Sequence, residues 1–78
     1  MSAFTIEDLQ EIAQEVIGDR DVTLSPEMTA MDVPGWDSLS HTLISIEIGG
    51  RTGRDIDAQS LAEAANFGEL VDRVNALG

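Results

Sequence analysis

Ser38 is the residue on which chemistry could be built. It lies in Gly35-Trp36-Asp37-Ser38-Leu39, where a loop ends and a helix begins. Asp37 is a good helix N-cap, because its carboxylate can accept from the free backbone N–H groups of the next turn. Ser38 then takes the first helical position. There its hydroxyl sits on the rim, near the positive end of the helix dipole, and an anionic group attached to it is favoured. Pro34-Gly35 reads as a turn that presents the site. Two readings compete. One is an ordinary helix cap, since an Asp-Ser-Leu tripeptide arises readily by chance. The other is an attachment serine, displayed for another enzyme to modify.

A serine acting as its own nucleophile needs a base and an oxyanion site. The single histidine, His41, lies one turn beyond Ser38, and no third group clearly orients it. It reads as a surface residue beside that serine or as a packing partner of Trp36, ahead of any catalytic role. Trp36 itself reads as a loop anchor ahead of a direct partner contact. There is no cysteine, so disulfides, thiol catalysis and cysteine zinc sites are excluded, and paired-histidine metal sites go with them. No metal ligand set is expected.

The balance of charge narrows the partners. The 78 residues carry a net charge of −11 and no lysine. Nucleic acid is excluded as a partner, because phosphate binding needs a basic face. Residues 1–37 hold −8, residues 38–56 are neutral, and residues 57–78 hold −3. The segment after Ser38 is therefore the least acidic, and the acids elsewhere read as a solvated surface. No apolar run approaches a membrane span and no signal peptide is visible, so the expectation is a cytoplasmic, soluble chain. A chain of this length, 1–78, is expected to form a single domain that buries roughly 60–65% of its unfolded surface.

The elements that must position Ser38 follow from periodicity. Thr5 can cap a first helix over 5–17, with Asp8 completing a capping box. Ile6, Leu9, Ile12, Ala13, Val16 and Ile17 form its apolar stripe, and Gly18 stops it. Residues 19–37 form a long connection containing Ser25-Pro26 and Pro34-Gly35, which disfavour a continuous helix. Val22, Leu24, Met28, Met31, Val33 and Trp36 read as anchors pinning it, and 25–28 as a short turn.

The second helix runs from Ser38 to about Ile48. Ile44 and Ile48 share one face, while Leu39, Leu43 and Ile46 make a second stripe. A helix apolar on both sides is either fully buried or touches something besides its own core. Gly49-Gly50, at about 1 kcal/mol per glycine relative to alanine, should end or fray it between Ile48 and Arg51. Arg51 and Arg54 suit the C-terminal end of the dipole. A short third helix over 57–64 has Leu61 inward and Asp57 or Ser60 as its cap. The last begins at Asn66, with Glu69 as a capping-box partner. The fold class predicted is all-α: a small four-helix bundle, three main helices plus a short third, with a long loop between helices 1 and 2.

With these pieces assembled, the sequence resembles the acyl carrier protein family, and more broadly the phosphopantetheine-attachment domain shared with peptidyl carriers. The resemblance covers nearly the whole chain: its length, acidity, helix order, long first loop, the Gly35-Trp36-Asp37-Ser38-Leu39 stretch, and Ile56 before the short helix. In that family the serine of Asp-Ser-Leu accepts the 4′-phosphopantetheine arm of coenzyme A through a phosphodiester, and that serine maps to Ser38. A phosphopantetheinyl transferase would supply Mg²⁺ and coenzyme A. The arm's thiol would hold an acyl or aminoacyl group as a thioester for acyl-loading and acyl-processing enzymes of fatty-acid, polyketide or related biosynthesis. The protein, expected as a monomer, would then need no catalytic residue of its own. By the same resemblance Ile44 and Ile48 face the core. Leu39, Thr42, Leu43 and Ile46, with Asp37, lie on the side that partner enzymes touch.

The chain departs from the family's fatty-acid type, whose second helix is strongly acidic and docks on basic patches. Leu43 stands at a usual glutamate position, Gly49-Gly50 replaces two more, and Thr52 stands where a bulky aromatic is common. Trp36 and His41 look more like discrete carriers of specialised pathways. The rival from another class is an unmodified acidic adaptor of the same fold, using Leu39, Leu43 and Ile46 purely as a binding surface.

Overall fold

Each helix begins at a side chain able to cap it. The computed structural model describes residues 3–77. Helix α1 spans Ile6–Ile17, α2 Ser38–Thr52, α3 Ala58–Ala62 and α4 Phe67–Ala76. Thr5 accepts from the Asp8 backbone N–H at 3.2 Å, and the Asp8 carboxylate accepts from that of Thr5 at 3.0 Å, closing the capping box. Asp57 accepts from the Gln59 N–H at 3.1 Å and Asn66 from the Glu69 N–H at 2.8 Å. The second box does not close as expected, because the Glu69 carboxylate takes the Ala65 N–H instead of that of Asn66.

The apolar stripes meet in one core. Leu9 and Ile12 of α1 face Ile44 and Ile48 of α2, with Leu61, Phe67, Leu70 and Val74 completing it from α3 and α4. Phe4 is drawn in by Asn75, whose side-chain oxygen accepts from the Phe4 N–H and whose NH₂ donates to the Phe4 carbonyl, each at 2.9 Å. Cross-helix ion pairs on the surface are few and partly exposed. Arg51 reaches Glu15 of α1 at 3.4 Å, a contact worth no more than about 1 kcal/mol.

The long loop is held through its first half by two sets of hydrogen bonds. Gln10 accepts from the Leu24 N–H and Gln14 donates to the Val22 carbonyl, each at 2.9 Å. Farther on, the Met28 carbonyl accepts from the Phe67 N–H and the Pro26 carbonyl from the Gly68 N–H, also at 2.9 Å. The loop thus satisfies orphan donors at the start of α4. Val22, Leu24 and Val33 are buried, and Met28 and Trp36 pack against the core. Met31 is different: it is 96% exposed, on a single 3-10 turn over Ala30–Asp32. That turn carries its own capping box, Thr29 with Asp32, and it aims Met31 outward while Val33 goes in.

Helix α2 also runs farther than its glycines suggest. It continues through Gly49-Gly50 to Thr52 and closes at Gly53, whose φ of 67° is open to glycine and whose N–H returns to the Gly49 carbonyl at 2.9 Å. A side chain at Gly49 would meet the Arg54 carbonyl at 3.2 Å and Ile56 at 3.6 Å. Close packing of the following segment on bare backbone offsets the weak helix propensity there.

Candidate functional site: the start of α2

The chain reverses just before the site. The Trp36 N–H donates to the Val33 carbonyl at 3.2 Å, and Gly35 takes φ 91°. A Cβ on Gly35 would lie 2.8 Å from Cγ2 of Ile17, so the loop crosses the end of α1 where only glycine fits. Asp37 is extended and caps α2, its Oδ1 accepting from the Ser40 N–H at 2.8 Å. That backbone N–H is the main reason the Asp37 carboxyl is held below its ordinary pKa, the charged form being the one bonded. The Ser40 hydroxyl donates to the Gly35 carbonyl at 2.9 Å and ties the helix start to the turn.

Ser38 is exposed at the first position of α2. The hydroxyls of this helix are not equivalent. Those of Thr42, Ser45 and Thr52 donate to the carbonyls of Ser38, His41 and Ile48, one turn back, at 3.0, 2.9 and 2.8 Å. Ser40 is tied to Gly35. For the Ser38 hydroxyl no partner is found among the described residues. The residue lies exposed at the positive end of a 15-residue helix.

Beside Ser38 lies a groove of about 420 Å³ between the 3-10 turn, α2, α3 and α4. Trp36 walls it, stacked in a tilted fashion on Phe67 with ring centroids 4.8 Å apart. The Trp36 indole N–H donates to Nδ1 of His41 at 3.2 Å, and Nε2 of His41 is 2.8 Å from the Ala58 carbonyl. Both imidazole nitrogens are therefore engaged, and neither is free to serve as a base for Ser38. Of the two sequence readings of His41, the structure shows packing against Trp36. Among the described residues no cluster of three His, Asp or Glu could hold a metal.

The remaining candidate residues form the outer face of α2. Leu39 is 68% exposed, Leu43 44% and Ile46 66%; Asp37 and Thr42 are also exposed. Ile44 and Ile48 are buried on the opposite side. Between Asp37 and Glu47 this face carries no carboxylate or guanidinium. Sequence reasoning missed two parts of the site. The 3-10 turn had a readable signal, Thr29 and Asp32 at capping-box spacing. The Ala58 carbonyl had none, since it depends on where α3 packs.

No protein-family model and no curated protein matches the sequence. Among solved structures, the chain is similar to a holo acyl carrier protein from Geobacter metallireducens, determined in solution by NMR. The two share 29% identity over 94% of this chain and 84% of that one, with a TM-score of 0.80. The likeness read from Asp37-Ser38-Leu39 and its surroundings therefore extends to three dimensions, and the chain has the all-α fold of an acyl carrier protein.

Proposed function

We propose that this protein carries acyl or aminoacyl groups on a 4′-phosphopantetheine arm joined to Ser38. The observation that carries the reading is the state of the α2 hydroxyls: four of the five are bonded to backbone carbonyls, and the fifth, on exposed Ser38, has no partner among the described residues. The solved neighbour is itself described as holo. The residues present fit the arm. A phosphodiester on Ser38 would sit at the positive end of α2, and the groove walled by Trp36 opens alongside. Once attached, the arm supplies a thiol that holds cargo as a thioester. The chain's own residues position and display it; activation of the Ser38 hydroxyl belongs to a phosphopantetheinyl transferase.

The protein would act as a cytoplasmic monomer, meeting acyl-loading and acyl-processing enzymes through Asp37, Leu39, Thr42, Leu43 and Ile46. That face is apolar and nearly uncharged, so docking should rest on buried apolar area more than on ion pairs. This favours a specialised pathway over a generic fatty-acid synthase.

The test is direct. The protein is incubated with coenzyme A, Mg²⁺ and a broad-specificity phosphopantetheinyl transferase, then weighed. A mass gain of one arm in the native chain, absent in Ser38→Ala while Ser40→Ala still gains it, supports the carrier reading. No gain with several transferases overturns it and leaves an unmodified adaptor of the same fold.

A further inference from the structure

His41 joins three elements that border the groove. It stands on α2, receives the indole of Trp36 from the loop, and meets the carbonyl of Ala58 at the first residue of α3. The two partners fix its proton. An indole N–H can only donate, so Nδ1 must offer its lone pair; a carbonyl can only accept, so Nε2 must carry the hydrogen. One neutral tautomer satisfies both contacts, and the doubly protonated ring does not. A proton on Nδ1 would set two N–H groups against each other across 3.2 Å.

We propose that His41 is a positioning residue of this site: as its Nε2–H tautomer it latches Trp36 in place as the wall of the groove beside Ser38, and the latch opens when the imidazole takes a second proton. The inference rests on the carrier reading only for what the wall would face, namely the root of the arm and its cargo.

The indole of Trp36 makes its one side-chain hydrogen bond to His41; the residue's other bond, from its backbone N–H to the Val33 carbonyl, leaves the ring free to turn. Its other close aromatic contact is Phe67, which is 2% exposed and fixed in the core. The charges around the latch are few. Along the groove the one charged side chain is Asp37, whose carboxylate is bonded to the Ser40 N–H. On α3, Asp57 precedes Ala58 and is bonded to the Gln59 N–H. The 3-10 turn contributes Thr29 and Ala30, and α4 contributes Asn66, Phe67 and Leu70, all uncharged. No lysine or arginine lines the groove, so no basic side chain faces the imidazole from it.

The experiment uses the unmodified protein, so its failure is separate from a failure of Ser38 to accept an arm. Imidazole ¹⁵N shifts assign the tautomer, and solvent exchange of the Trp36 indole N–H reports the latch. In the native chain above the imidazole titration, Nε2 should carry the proton and Nδ1 should accept. With each rate referred to that of free indole at the same pH, protonating the ring, or His41→Phe, should lower the protection of the indole N–H by up to about tenfold, since a hydrogen bond contributes about 0.5–1.5 kcal/mol net. His41→Gln, whose amide can accept from the indole and donate to the Ala58 carbonyl, should restore slow exchange. Should either variant fail to fold, the native-chain titration decides alone. A native ring protonated on Nδ1, or indole exchange indifferent to the imidazole's charge, overturns the proposal.

Discussion

Helix α1 turns Leu9, Ile12 and Ala13 inward and Glu7, Glu11 and Glu15 to solvent. Helix α2, packed against it, buries Ile44 and Ile48 yet leaves Leu39, Leu43 and Ile46 in the open. One helix is apolar only where the fold needs it. The other carries apolar residues that the fold does not use. An exposed apolar stripe costs solubility and invites association, so its place beside a displayed hydroxyl points to contact with other proteins. The comparison separates two kinds of hydrophobic residue that composition alone would count together.

Truncation should separate them most sharply. Ile12→Ala in α1 should cost about 2–5 kcal/mol of stability in urea unfolding, through lost burial and a residual cavity. Ile46→Ala on the outer face of α2 should stay within about 0.5 kcal/mol, while raising the KM that a partner enzyme shows for the loaded carrier. Equal destabilisation by the two would erase the distinction drawn here.

Gly35→Ala comes next. It forces a left-handed φ on a side chain and drives its Cβ into Ile17, joining the loop to the end of α1. The expected loss is about 1–3 kcal/mol, read from the same unfolding curves. A smaller effect is expected from salt. Between about 0.05 and about 0.5 M, partner affinity should change by less than about twofold, because the proposed docking face is nearly neutral. A steep loss would mean that acids elsewhere on the molecule carry the docking.

The smallest signal concerns the start of α2. Asp37 has its folded pKa lowered, chiefly by the Ser40 N–H. Its capping contribution is therefore full above the unfolded-state pKa and lost as pH falls through the lower, folded value. The Ser40 amide resonance should stay constant near neutrality and move only in acid. In Asp37→Asn that acid-side movement should vanish.

Local chemistry made much of this legible in advance. Thr5, Asp37, Asp57 and Asn66 are residues whose side chains compete for backbone N–H groups, and each begins a helix. Where the outcome depended on tertiary packing, the sequence was less informative. The glycines at 49 and 50 read as a helix end because propensity is local, while the contact of Gly49 with Ile56 is not. Met31 read as an anchor because it is apolar; the orientation of a single 3-10 turn has no periodic signature. At the site, Ser38 and its cap could be picked out from five consecutive residues. Contact between His41 and Trp36 was one of two readings open for that histidine; the further bond to the Ala58 carbonyl depends on where α3 packs, and nothing in the residue types announces it.

The unequal engagement of the α2 hydroxyls also bears on selectivity. Ser38 and Ser40 are two residues apart, with the same functional group, at the same helix end. Because Ser40 is already turned back on Gly35, the proposed modifying enzyme would not need to read the sequence to choose between them. On the carrier reading proposed above, an electrophile delivered to this end of the molecule would meet one unengaged hydroxyl, that of Ser38.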